Sequence, residues 1–202
     1  MSIKNTKKDE KMKNLMVAFI TLLTAGAYAQ TYKVDSAISK VTYVGKKING
    51  EHTGTLTLKN GSLTFKGEEI VEGEFIADMN SLTSTDITDP EYNKKYVSHM
   101  KSADFFNTEK FPVSKLLIKS SKKTDKGLEV KAELTMIGAT KPVTFVISDL
   151  KKDDKGVTGK SLLTLNRTDW GLKYGSESFF KNLGDKVIYD DFTLSVELSA
   201  KK

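Results

Sequence analysis

The side chains most able to do chemistry in this chain are few. It has two histidines, His52 and His99, a single arginine, Arg167, and a candidate acid pair at Asp86 and Asp89, with Asp104 further on. The histidines are far apart and show neither HxH nor HExxH spacing, so a metal centre would need carboxylates gathered from remote segments. No GxSxG, no P-loop and no strand-to-helix GxGxxG occurs, and no thiol exists to act as a nucleophile. His99 as a general base beside Asp86 or Asp104 lacks any accompanying catalytic motif. Asp86 and Asp89 lie in SLTSTDITD, residues 81–89, where Ser, Thr and Asp side chains are well suited to accept from backbone amides as a strand hands over to a helix. No catalytic residue and no metal site is assigned.

What remains is an apolar surplus outside regular strands. Phe105, Phe106, Phe111, Trp170, Tyr174, Phe179 and Phe180 gather in or beside two irregular segments. They serve either as plugs of a barrel end or as the lining of a cavity entrance, and periodicity does not choose between the two. The segment RTDWGLKYGSESFFKNLGDK, residues 167–186, also holds the only tryptophan and the only arginine. Arg167 can fork onto a carboxylate such as Asp169 or Asp104 while Trp170 packs inward, with Gly171 and Gly175 permitting the sharp path and Phe179 and Phe180 folding over the mouth as a lid.

The elements that must position these side chains read as strands. Leu56 and Leu58, then Leu63 and Phe65, flank Asn60-Gly61, a strong signal for a two-residue hairpin. Val71, Gly73, Phe75, Ala77 and Met79 alternate onto one strand face. Alternation recurs at Leu116 and Ile118, at Leu128, Val130, Ala132 and Leu134, and at Phe192, Leu194, Val196 and Leu198. KKTDKG (122–127) and KKDDKG (151–156) are glycine-ended hairpin turns. About eight antiparallel strands result, which must close into a barrel or pack as a sandwich to hide their edges. One stretch, 89–107, has a capping Asp, a first-turn proline and Tyr92, Tyr96, Val97 and Met100 at helical spacing, and it predicts a helix across one mouth.

The N-terminus reads as a targeting segment. Lys11 and Lys13 precede an apolar run from Leu15 to Leu23, and Ala27-Tyr28-Ala29 supplies a small-x-small site, so residues 1–29 form a signal peptide with Met12 as the expected natural start. The run is too short to span a bilayer. Removing it takes away five lysines and two acids, which leaves +3 of the formal +6. A near-neutral domain with one arginine and scattered lysines argues against nucleic-acid binding. With no cysteine, neither a disulfide nor an acyl anchor is available, and residues 30–202 must be stabilised by one core.

SHMKSADFFNTEKFP (98–112), LTMIGATKPVTF (134–145) and RTDWGL (167–172), following an SxxSTD-like strand end, resemble the signatures of the YceI-like family in the same order. The resemblance extends from about Tyr32 to Leu198. It implies an all-β fold, an extended antiparallel eight-stranded lipocalin-like β-barrel with a short helical insertion, whose elongated pore holds a polyisoprenoid or other long-chain lipid. It also implies a periplasmic or secreted location. No cofactor is called for beyond the bound lipid. The expected wall and mouth are Phe75, Met79, Phe105, Phe106, Phe111, Leu116, Ile118, Leu134, Trp170, Tyr174, Phe179 and Phe180, with Asp86, His99, Lys101 and Arg167 as polar groups at the mouth. The expected partners are the lipid and a second copy of the chain as a homodimer. The competing reading is an envelope interaction protein with a solid barrel and an aromatic docking surface. Where family members carry an Arg-Asp pair before the His-x-Lys segment, this chain has EYNKKYVSH. N-terminal sequencing of the exported chain is expected to begin at Gln30, and a start upstream of Ala29 would overturn the targeting assignment.

Overall fold

The computed structural model describes residues 28–202, so the expected signal peptide lies, save for Tyr28 and Ala29, outside the described residues. Among the described residues nine strands occur: β1 (Ala29–Val34), β2 (Lys40–Lys47), β3 (Gly50–Lys66), β4 (Glu69–Asp78), β5 (Val113–Thr124), β6 (Gly127–Met136), β7 (Ala139–Lys152), β8 (Gly156–Asn166) and β9 (Ile188–Lys201). Helix α1 (Pro90–Lys101) stands between β4 and β5. Every neighbouring pair is antiparallel, and β3 pairs with β4 to close the ring. The closed ring has eight positions because β1 and β2 share one. β2 pairs with β3 over Gly50–Leu56, β1 pairs with β3 over Ser62–Lys66, and both pair with β9.

The seventeen-residue β3 corrects one expectation. Asn60-Gly61 makes no turn; the strand runs through it, and the hairpin to β4 falls at Gly67-Glu68, where Gly67 has φ +65. Opposite β4, Leu58 pairs with Ala77 and Asn60 with Ile76, so Lys59 is an extra residue. A bulge of this kind switches which alternate residues face inward. Leu58 is buried before it and Leu63 and Phe65 after it, a change of parity that a hairpin would also have produced. Val71 is corrected for the same reason. Thr64 pairs with Glu72 and Phe65 with Ile70, which leaves Val71 as the extra residue, turned outward, while Ile70 is buried in its place.

One end of the barrel is plugged. Tyr32, Leu63, Phe65, Ile70, Val130 and Val157 are each at most 2% exposed. The Tyr32 and Phe65 rings meet edge to face at 5.8 Å, and the Tyr32 hydroxyl donates to the Asp153 carbonyl at 3.0 Å. The opposite end carries α1 and the connection from β8 to β9. Asp89 caps α1 by accepting from the Tyr92 amide at 2.7 Å, and Pro90 occupies the first helical position, as the sequence predicts. Among the described residues no helix is long and apolar enough to cross a membrane.

Where β4 ends, its continuation clings to β3 by side chains. Ser81 Oγ accepts from the Thr57 amide at 2.8 Å, Thr83 Oγ1 from the Thr55 amide at 3.2 Å, and Asp86 Oδ1 from the Thr53 amide at 3.0 Å. The SLTSTD segment thus supplies the acceptors that a neighbouring strand would have offered. Gly54 sits beneath it. A Cβ there would run into the Thr83 carbonyl oxygen and lie 2.5 Å from the Tyr43 ring, whereas a Cβ on Gly45 would meet nothing within 4 Å. Gly54→Ala is expected to lose about 2–3 kcal/mol of stability in urea unfolding, and Gly45→Ala to stay within about 0.5 kcal/mol.

Candidate ligand cavity

The inward faces of the strands do not meet in the middle. They enclose a cavity of about 250 Å³, many times the ~10–15 Å³ a single water needs. Alternation explains the wall: Leu116 and Ile118 of β5, Leu134 and Met136 of β6, Phe145 and Ile147 of β7, and Phe192, Leu194, Val196 and Leu198 of β9 all line it. Towards α1 the wall is completed by Tyr96, Met100, Phe105 and Phe106. Leaving such a space unfilled forgoes on the order of 6 kcal/mol at ~24 cal/mol per Å³, a large share of a domain's net stability.

Of the side chains singled out from the sequence, Phe75, Met79, Phe105, Phe106, Leu116, Ile118, Leu134 and Arg167 lie on the wall. Five do not. Phe111 packs against Gly138, close enough that a Cβ on that glycine would come within 2.9 Å of the ring. Trp170 is buried in the surrounding core, and its indole Nε1 donates to the Leu134 carbonyl at 2.9 Å. Tyr174, Phe179 and Phe180 are about half exposed. The phenylalanines form no lid: both amides bond to the Ser176 carbonyl, and Lys173 Nζ lies 4.5 Å from the Phe179 ring centroid. His99 is also off the wall, flanked by the Phe105 and Tyr174 rings with Asp104 3.6 Å from its Nε2. Lys101 donates to the Asn80 carbonyl at 2.7 Å.

Arg167 differs from expectation in its partner. Its guanidinium pairs with Asp190 at 3.1 Å, not with Asp169 or Asp104, and donates to the carbonyls of Leu172, Ile188 and Tyr189. The register is the reason: Asn166 of β8 faces Asp191 of β9, which brings the next residue of one strand beside the preceding residue of the other. Asp190 also accepts from Ser176 and Ser178 at 3.0 and 2.6 Å. Burial pulls the guanidinium's pKa below its ordinary value and the Asp190 charge opposes this. The result ties the long β8–β9 connection to the barrel rim.

Sequence reasoning found Arg167 but missed another polar group that reaches the wall. His52 lines the cavity, with Nδ1 2.8 Å from Asp86 Oδ2 and its ring 4.5 Å from that of Tyr96. Burial alone would raise the Asp86 carboxyl, but hydrogen bonds from His52, the Thr53 amide and Ser84 outweigh it and hold the carboxyl below its usual range. The signal available was the period-two spacing of Tyr43 with Gly45 and of His52 with Gly54 across the Ile48-Asn49 turn.

A closed antiparallel barrel, plugged at one end and enclosing an apolar cavity, is a lipocalin-like β-barrel by its fold. Residues 32–200 match the model of the YceI-like domain, and the chain belongs to the YceI-like family. A UPF0312 protein of Pseudomonas putida is 31% identical over 174 residues, covering 75% of this chain and 82% of that protein. Protein YceI of Escherichia coli is 30% identical over 152 residues, covering 72% of this chain and 75% of that protein. Among solved structures, BcnA of Burkholderia cenocepacia superposes with a TM-score of 0.67 at 19% identity, covering 83% of this chain and 99% of that one. A domain from Saccharophagus degradans described as polyisoprenoid-binding gives 0.59 at 17% identity, covering 84% and 97%. Both share the fold.

Arg167→Met, which keeps the volume and leaves Asp190 unpaired, is expected to cost about 3–5 kcal/mol in denaturant unfolding. Arg167→Met combined with Asp190→Leu is expected to recover part of that loss.

Proposed function

We propose that this protein is an exported, non-enzymatic carrier that holds an isoprenoid or related long-chain lipid, such as a quinone or polyprenyl species, inside the barrel. The observation that carries this reading is the unfilled apolar cavity, closed at one end and continuous with the α1 end at the other. Membership of the YceI-like family supports it, and so does the ligand named for the Saccharophagus domain. The periplasmic or secreted location rests on the reading of residues 1–29 as a signal peptide.

The energetics are adequate. Burial of hydrocarbon yields roughly 0.8 kcal/mol per methylene-sized group, so three isoprene units offer on the order of 10 kcal/mol. Association and ordering remove about half or more of this, and micromolar binding needs no polar contact. Such a tube discriminates weakly among tails, because each methylene changes affinity only modestly. The second reading, an envelope docking protein, draws on the half-exposed Tyr174, Phe179 and Phe180 in one segment.

Native mass spectrometry of the protein purified from its own envelope fraction, followed by organic extraction, is expected to find a bound species with repeating isoprene mass. A mass that is apo and stays apo after incubation with quinones and polyprenols would overturn the carrier reading in favour of the docking protein.

A further inference from the structure

The cavity wall is hydrocarbon almost throughout, but near the α1 end one inward row differs. In the β2–β3 ladder Tyr43 stands opposite Gly54 and, on the same face, Gly45 opposite His52. The Tyr43 ring takes up the space above Gly54, and its hydroxyl donates to the Thr83 carbonyl at 2.7 Å. Above Gly45 the space is open, since a Cβ built there meets no atom within 4 Å. Gly45 and His52 both line the cavity, so the imidazole borders an open slot on its inner face.

The imidazole is held in one orientation. Asp86, itself fixed by the Thr53 amide and Ser84, takes its Nδ1 side at 2.8 Å, and Tyr96 packs on the ring. In the neutral ring the carboxylate, which can only accept, keeps the proton on Nδ1 and leaves Nε2 as an acceptor. Among the described residues Nε2 has no hydrogen-bond partner, and no buried side-chain nitrogen or oxygen lacks one, so Nε2 remains accessible.

We infer that His52 is the head-group contact of the cavity, its Nε2 accepting a hydrogen bond from the terminal hydroxyl of a long-chain isoprenoid alcohol whose first carbons lie in the space above Gly45. This rests on the carrier reading and adds a head-group class to it. An acceptor selects a hydroxyl over an ether, an ester or a quinone carbonyl. Lys46, Lys47, Lys160 and Arg167 also touch the cavity, but Lys46 is exposed and faces Glu51 across the ladder, Lys160 pairs with Glu197 and Arg167 with Asp190, and the Asp86 carboxylate behind His52 disfavours a second anion.

The test uses geranylgeraniol, its methyl ether, its parent hydrocarbon and geranylgeranyl phosphate. Each is titrated at about pH 8 against the fluorescence of the sole tryptophan, Trp170. The native protein is expected to bind the alcohol about tenfold more tightly than the ether. In His52→Leu the two affinities should converge while that of the hydrocarbon holds, and Gly45→Val should abolish the alcohol's advantage at an unchanged melting temperature. Equal affinities for alcohol and ether in the native protein, or a gap that survives in both variants, would refute the head-group assignment while leaving the carrier intact. A His52-dependent preference for the phosphate over the alcohol would also refute it, in favour of an anion site. If not even the hydrocarbon binds, the carrier reading fails and the head-group assignment falls with it.

Discussion

Closure of the sheet by the β3–β4 ladder is the constraint on which the rest of the structure depends. An open sheet of this length would present two edges of unpaired amides and carbonyls, and the long β3, bulged at Lys59, is what lets one strand bond to β1, β2 and β4 together. The bulge bends β3 so that its first half faces the cavity and its second half faces the plug. Without that bend, β1 and β2 could not share one place in the ring.

Closure also sets the width of the interior. Near β1 the ring is filled by Tyr32, Phe65 and their neighbours, which gives the barrel a solid base. Towards α1 the same strand faces carry leucine, isoleucine and phenylalanine side chains that stop short of one another. The β7–β8 ladder contributes there, since it pairs only Ile147–Lys152 with Val157–Ser161, and Pro142, which has no amide hydrogen to donate, falls in the unpaired stretch beyond. Trp170, anchored on the Leu134 carbonyl, packs into the core beside this looser part of the wall. Stability is given up at one end and recovered at the other.

Two polar pairs finish the open end in different ways. Arg167 and Asp190 are surrounded by serine hydroxyls and backbone carbonyls, and their geometry is spent entirely on holding the β8–β9 connection. His52 and Asp86 are only partly satisfied within the protein. Asp86 is fully engaged, whereas the imidazole keeps one nitrogen for something else. An acceptor with no protein partner at the wall of an apolar cavity is the natural place for a ligand atom to bond.

By itself the sequence determined the all-β class, the strand alternation, the capped helix after Asp89 and, through three motifs in order, the family. These are local properties, because a two-residue period or a capping aspartate acts on its immediate neighbours. It also put Phe75 with Met79, Leu116 with Ile118, and Leu134 on alternating strand faces, and these five line the cavity. The tertiary structure alone decided that Asn60-Gly61 is passed through by a strand, that Val71 turns outward, that Arg167 meets Asp190, and that Phe179 and Phe180 stay off the cavity. Only it brought His52 to the wall with Asp86 behind it. The reason is the same throughout: one extra residue in a ladder reverses the parity of everything after it, and a side chain's partner is fixed by the register between strands, which no single strand encodes.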